Sequence, residues 1–235
     1  MSVEPFVAYQ VKGGELWAQE SQLDALRELG LHLPLRWRDY LRAGLAGGRG
    51  KIAFVETRER RLHLKQLRRG GALRKMWRDR FPGRERLLAN LETPARAIAA
   101  GVATPPAVAL LLLPGPPGFY RGFLAVEALE AEDLASRWVR GAATEEDWRA
   151  AMGVIRSLHE AGIEHPDLNL GNIMIDDDGK AWVIDLDKAR CHEKALDADR
   201  CEAARRRFER SYRKVARQQG VEATDRDWQQ LYEAR

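Results

Sequence analysis

His165-Pro-Asp-Leu-Asn-Leu-Gly-Asn-Ile-Met-Ile175 is followed, after the turn Asp176-Asp-Asp-Gly-Lys180, by Trp182-Val-Ile-Asp-Leu-Asp187. Two short apolar runs bracket a cluster of turn residues, so the stretch reads as loop, strand, tight turn and strand. Such a hairpin brings Asp167, Asn172 and Asp185 to one edge. The side-chain oxygens of Asn172 and Asp185 suit a hard cation such as Mg²⁺, which shares oxygen ligands with substrate phosphates. Asp167 can accept a proton from an attacking hydroxyl. A base, a metal and positive charge on the leaving phosphates are the working parts of phosphoryl transfer. The bland reading is a surface hairpin whose acids cap and solubilise it. Two motifs in the expected order weigh for the chemical one.

With 235 residues the chain can bury a full core, as one domain or two small lobes. No apolar run approaches the ~20 residues of a membrane-spanning helix. The longest, Ala107-Val-Ala-Leu-Leu-Leu-Leu113, is strand-sized and ends in Pro114-Gly-Pro-Pro-Gly118. The N-terminus has no signal-peptide pattern. Cys191 and Cys201 are the two cysteines, a usage that fits reduced thiols and a cytosolic setting. The net charge of +4 is unevenly spread. Lys65, Arg68, Arg69, Arg74, Lys75, Arg78, Arg80, Arg84 and Arg86 face only Asp79 and Glu85 in their segment. A second cluster runs from Arg205 to Arg217. Clustered cations suit an anionic partner. For the second cluster the solvated helix face is the preferred reading.

Along the chain, Phe6 to Val11 reads as a strand and Gln22 to Glu28 as a short helix ending at Gly30. Pro34 to Tyr40 reads as irregular. Gly48-Arg-Gly50 precedes the strand Ile52 to Val55. Glycines there let a backbone nest approach a phosphate. Leu62-His-Leu-Lys65-Gln-Leu67 alternates as a strand. Arg84 to Ala100 reads as helical but divided at Pro94, with Thr93 as cap and Pro94 in the first turn. Glu130 to Arg140 is read as helical, with Asp133 near its start. Thr144 is read as the cap of a helix through Trp148, Met152, Ile155 and Leu158, with Glu145, Glu146 and Asp147 placing acids in its first turn, favourable for the dipole. A long helical region follows to Gln219, then a last helix over Asp225 to Ala234.

His165-x-Asp167-x4-Asn172 with Ile184-Asp185 resembles the catalytic loop and metal motif of the protein-kinase-like superfamily. That resemblance implies an α+β, two-lobed fold: a small β-rich N-lobe, residues 1–128, and a mostly helical C-lobe, residues 129–235. It further implies ATP as cofactor, Gly48 and Gly50 over its phosphates, and Lys65 on the α and β phosphates. Glu92, with Glu85 second, would be the carboxylate partner of Lys65. Asp167 becomes the catalytic base, and Asn172 and Asp185 the Mg²⁺ ligands. Pro166, and Leu186-Asp187 in place of Phe-Gly, depart from the protein-kinase pattern. Asp187 is left with two roles, supporting the metal site or orienting Arg190.

The likeness sharpens at Asp167-Leu-Asn169-x-x-Asn172, Ile184-Asp185-Leu-Asp187-Lys188-Ala-Arg190, Leu64-Lys65-x-x-Arg68-Arg69-Gly70-Gly71 and Asp79-Arg80-Phe81. Together these are similar to the 3-deoxy-D-manno-octulosonic acid (Kdo) kinases and lipopolysaccharide-core kinases. The resemblance covers nearly the whole chain. It implies transfer of the γ-phosphate of ATP to a sugar hydroxyl on a Kdo-bearing lipid A precursor, at the cytoplasmic face of the inner membrane. The basic segment from Arg68 to Arg86 would then hold the enzyme to an anionic membrane surface, with no nucleic acid involved. Rival readings are an aminoglycoside-type phosphotransferase, a kinase-like ATPase or scaffold in a nucleic-acid-modifying complex, and a pseudokinase. The last sits badly with Asp167, Asn172 and Asp185 all present.

Overall fold

The computed structural model describes residues 4–47, 50–58, 60–68 and 79–220. The chain divides into two compact units, Met1–Ala95 with Pro106–Ala128, and Arg96–Pro105 with Leu129–Arg235. The first holds β1 (Val7–Val11), β2 (Gly14–Ala18), α1 (Leu23–Glu28), α2 (Pro34–Ala43), β3 (Leu45–Gly47), β4 (Gly50–Glu56), β5 (Arg61–Gln66) and β6 (Phe81–Pro82). α3 (Glu85–Ala99), whose residues from Arg96 onward are counted in the second unit, β7 (Ala107–Pro114) and β8 (Phe119–Glu127) follow. The strands form one antiparallel sheet in the order β1-β2-β7-β8-β5-β4-β3, with β6 also paired to β8.

The apolar run of β7 has a direct cause. Every residue from Ala107 to Leu113 is buried, because both faces of the strand are covered. Val108, Ala109, Leu111 and Leu113 pack with Leu26, Trp37 and Leu41 of α1 and α2. Leu110 and Leu112 pack with Leu87, Leu88 and Leu91 of α3. A strand covered on both sides loses the alternation of a half-exposed one.

Two expectations are corrected here. Pro34 to Tyr40 is helical, not irregular: Pro34 sits in the first turn of α2, where its missing N–H costs nothing. Trp37 and Leu41, four apart, form its buried stripe. Trp37 Nε1 donates to the Leu31 carbonyl at 2.7 Å and Tyr40 Oη to that of Leu29 at 3.0 Å, fixing α2 to the preceding loop. Nor does Pro94 divide its helix, for α3 runs through it. An interior proline disfavours a helix by ~3 kcal/mol. Complete burial of Leu87, Leu88 and Leu91 outweighs that, each buried leucine being worth roughly 1.5–3 kcal/mol.

The second unit holds β9 (Ala131–Asp133), α4 (Leu134–Val139), α5 (Glu145–Glu160), β10 (Ile163–Glu164), β11 (Ile173–Asp176), β12 (Ala181–Val183), β13 (Arg190–Cys191) and α6 (Ala198–Gln218). Glu130 to Arg140 is thus part strand, part helix, and Asp133 caps α4 by accepting from Ser136 N–H at 2.9 Å. Thr144 caps α5 as expected, and Asp147 answers it by accepting the Thr144 N–H, closing a reciprocal capping box. Trp148, Ala151, Met152, Ile155 and Leu158 turn one face of α5 into the core, beneath Ile173, Ile175 and Val183 of the hairpin. α6 contributes Ala204, Phe208, Tyr212 and Ala216, a strict four-residue stripe. Tyr212 stacks on Trp138 at 4.7 Å, with Trp148 edge-on to both. The last helix expected over 225–234 lies outside the described residues.

Candidate active site

The strand–turn–strand hairpin read from the sequence is present. β11 and β12 pair antiparallel with Ile173 opposite Val183 and Ile175 opposite Ala181. Asp176 makes the turn: its Oδ1 accepts the N–H groups of Asp178 and Lys180, and its Oδ2 accepts Trp182 Nε1–H at 2.8 Å. These donors hold the Asp176 carboxyl below its ordinary range against the opposing effect of burial. Gly179 supplies the positive φ, 76°, that closes the turn.

At the open end of the hairpin the loop is tied to itself. Asn172 Nδ2 donates to the Asp167 carbonyl at 2.8 Å, and Asn169 Nδ2 donates to the same oxygen at 2.7 Å. Asn169 Oδ1 accepts Gly171 N–H at 2.9 Å. The Asn172 carbonyl accepts Ile184 N–H at 2.9 Å, which sets Asp185 one residue beyond a backbone link to Asn172. His165 closes the ring from below. It is 2% exposed; its Nδ1 accepts Asp167 N–H at 3.2 Å and its Nε2 lies 3.1 Å from the Ile184 carbonyl. A carbonyl can only accept, so Nε2 carries the proton and the ring is neutral. Burial pushes its pKa down, against the Ile184 carbonyl and the nearby Asp185 and Asp167 carboxylates.

Asp185 adopts φ 63° and ψ 47°. It has positive φ without being glycine, a conformation costing roughly 1–2 kcal/mol. Strain of this kind gathers where function needs a side chain aimed against backbone preference. Asp185 is exposed, while Asp167 and Asn172 are half-buried.

A divalent ion fits these residues. The amide nitrogen of Asn172 donates to the Asp167 carbonyl, which fixes the amide orientation and makes Oδ1 the atom that could meet a cation. Asp185 adds an exposed carboxylate one residue from the backbone link. One carboxylate, one amide oxygen and substrate phosphates are a donor set typical of Mg²⁺.

Three supports of the loop were not assigned from sequence. Arg207 of α6 donates to the His165 carbonyl at 3.3 Å, and Ser211 Oγ accepts Leu170 N–H at 3.2 Å. The third is Asn169, quoted in the motif without a role. Other arginines of the C-terminal cluster behave as the bland reading expects. Arg205 and Arg206 hold Glu202, whose pKa falls to about 2, and Arg213 holds Glu209.

In the first unit Lys65 lies opposite Ile52 and Leu124, and Gln66 opposite Phe123. Side chains alternate along a strand and directly paired residues share a face. Leu62, Leu64 and Phe123 pack with α1 and α2, whereas Leu67 and Leu124 pack with α3. Lys65 therefore takes the α3 side of the sheet. Glu92 lies on α3, exposed, one residue past buried Leu91; Glu85 is exposed at the helix start. Gly50 opens β4, opposite Gly47. Gly48 lies outside the described residues, as does the basic segment 69–78.

The lipopolysaccharide kinase (Kdo/WaaP) family model matches residues 38–234. A 3-deoxy-D-manno-octulosonic acid kinase of Xylella fastidiosa (strain 9a5c) is 32% identical over 212 residues, covering 88% of this chain and 84% of the relative. A protein of the same name from Xanthomonas oryzae pv. oryzae (strain PXO99A) is 33% identical over 213 residues, covering 87% and 82%. The solved structure of WaaP in complex with acyl carrier protein shares the fold, with TM-score 0.58 over 94% of this chain and 89% of that one at 20% identity. Both the family and the two-lobed, kinase-like α+β fold implied by the sequence are thereby shown. This chain belongs to the lipopolysaccharide kinase (Kdo/WaaP) family and is a phosphotransferase.

Proposed function

We infer that the chain transfers the γ-phosphate of ATP to a hydroxyl of Kdo on a lipid A precursor, working at the cytoplasmic face of the inner membrane. The observation that carries this is the tie between the two motifs. The Asp167 carbonyl holds the Asn172 amide, and the Asn172 carbonyl holds the strand that presents Asp185. Base and metal ligands are then one rigid group. The relatives' name supports the acceptor.

In this reading Asp167 orients the attacking hydroxyl and takes its proton late, as the bond to phosphorus forms in line. Asn172 and Asp185 hold Mg²⁺, which when bound neutralises charge on the transferring phosphates. Lys65 contacts the α and β phosphates, with Glu92 as its carboxylate partner, and the backbone around Gly48 and Gly50 lies over the phosphates. His165, neutral and buried, positions Asp167 through its backbone amide. Arg68, Arg80, Arg84 and Arg86 attract an anionic bilayer, each cation being worth ~1 kcal/mol near such a surface. No described helix is long and apolar enough to cross a membrane.

The test is direct. Purified protein is incubated with Mg·ATP and either Kdo-bearing lipid A or a panel of aminoglycosides, and the products are weighed. The expected result is a phosphorylated Kdo-lipid. A phosphorylated aminoglycoside with unmodified Kdo-lipid overturns the reading. Asp167→Asn should lose turnover and keep ATP binding; a variant that retains most activity removes Asp167 from its role.

A further inference from the structure

The α2 side of the sheet, opposite the face taken by Lys65, carries a feature that phosphoryl transfer does not use. A cavity of about 230 Å³ is lined by Arg38 and Arg42 of α2, Arg68 beyond β5, and Arg121 of β8. Leu41 and Phe123, both buried, give it an apolar floor. Four guanidinium groups from three elements converge there, and no acidic side chain lines the cavity among the described residues. Asp79 Oδ2 lies 2.9 Å from Arg121 Nε, an ion pair that offsets part of the positive charge. The volume falls below the roughly 300–1,000 Å³ of sites for whole drug-sized ligands. It suits one compact anionic group, and the planar fork of arginine matches the oxygens of phosphate.

The rim of the cavity is apolar on one side. Leu35, Arg38 and Arg42 stand at helical spacings of three and four, so they form one stripe of α2. Leu35 is 68% exposed and Leu33, just before the helix, 46%. Leu35 is an exposed leucine one turn from Arg38 and two from Arg42, an apolar group beside cations such as an anionic bilayer attracts. Charge below and apolar surface beside it call for a ligand with a phosphate head and an apolar body.

We propose that the Arg38–Arg42–Arg68–Arg121 cavity is a headgroup site for a phosphate-bearing membrane amphiphile, with Leu33 and Leu35 entering the bilayer beside it. This deepens the membrane part of the proposed function and rests on it. The site stands on the opposite face of the sheet from Lys65, so it is separate from the lysine assigned to ATP.

The full-length chain is sedimented with phosphatidylcholine vesicles containing phosphatidic acid, a phosphomonoester, or phosphatidylglycerol, a diester, at matched surface potential. Wild type should favour phosphatidic acid. Arg38→Gln with Arg42→Gln, both at exposed positions, should weaken that binding about 30-fold, from about fivefold per cation. Leu35→Ser should weaken it about fivefold. The melting temperature of each variant should match wild type. Strong capture of both vesicle types, unchanged in the arginine and leucine variants, overturns the cavity while leaving membrane association standing. Capture of neither vesicle overturns both. Full displacement by millimolar inorganic phosphate, with no effect of Leu35→Ser, makes this a soluble-phosphate site and overturns the amphiphile.

Discussion

Replacing His165 with leucine deletes two hydrogen bonds while nearly preserving side-chain volume. The imidazole accepts Asp167 N–H and donates to the Ile184 carbonyl, so its loss orphans one donor and one acceptor in the floor of the site. Each orphaned buried group costs roughly 1–3 kcal/mol. Asp167 is half-buried and its amide can turn to water, which places the sum at about 2–4 kcal/mol. For a chain of this length each kcal/mol moves the melting temperature by about 2–4 °C, so a fall of about 5–12 °C is expected.

The pH dependence is the sharper test. Burial holds the folded-state pKa of His165 below its ordinary value, near about 6.5 in the unfolded chain. Above that pH neither state is protonated, and the site contributes no slope. Below it the unfolded chain binds the proton first, so stability falls as the pH drops towards the lower folded pKa. Leucine does not titrate. The stability gap between wild type and His165→Leu should therefore be widest at pH 8 and narrow towards pH 5, the contribution of His159, also held down by burial, cancelling in the difference. Thermal melts followed by circular dichroism across that range measure it. A shift under about 2 °C, or parallel pH profiles for the two proteins, refutes the role given to His165.

Asp147→Ala breaks the capping box of α5 and strips a partner from Arg137, whose Nε lies 2.8 Å from a carboxylate only 4% exposed. A loss of about 3–5 kcal/mol in urea unfolding is expected. Gly162→Ala, at φ 70°, would set a Cβ 2.3 Å from the Lys194 carbonyl oxygen just before the catalytic loop. It should cost at least ~1–2 kcal/mol and lower kcat, read by melting and by steady-state kinetics. Asp185→Gly should relieve backbone strain, raising the melting temperature by about 2–4 °C, while Mg²⁺-dependent ATP binding in calorimetry is lost. An unchanged melting temperature would mean that Asp185 is not strained. Asp176→Ala removes the acceptor of Trp182 Nε1–H, so Trp182 emission should shift to the red in a fluorescence scan.

Features set by a few neighbouring residues were legible in the sequence. The cap of α5 needs only Thr144, and the hairpin turn only Asp176 to Lys180. The apolar run of β7 was legible as a strand, but the covering of both its faces was not. What escaped depends on distant partners. Pro34 opens α2 at a position where proline costs nothing, whereas Pro94 lies inside α3 and is overridden by what that helix packs against. Arg207 lies 42 residues from His165, within a cluster where Arg205, Arg206 and Arg213 pair with neighbouring glutamates. No local pattern separates the one arginine that braces the loop from those that solvate a helix. The strain at Asp185 was hidden for a related reason. Its φ is set by where β12 ends and the following turn begins, not by its immediate neighbours.

The spacing between the two motifs is itself the geometry of the site. Asn172 immediately precedes Ile173, and Ile184 immediately follows Val183; those two strand residues are paired across the hairpin. The link from Ile184 N–H to the Asn172 carbonyl continues that ladder by one step. The length of the Asp176–Lys180 turn therefore fixes which residue faces Asn172, and hence where Asp185 emerges. Side chains alternate at every step of a strand, so a register slip of one residue would put that carboxylate on the opposite face. The Asp176 carboxylate, by accepting two turn amides and the Trp182 indole together, locks the register from the far end. Asp176, at the far end of the hairpin, is in this way a determinant of where the Asp185 carboxylate stands. That is why a motif written as letters at fixed intervals could specify a three-dimensional constellation within this unit.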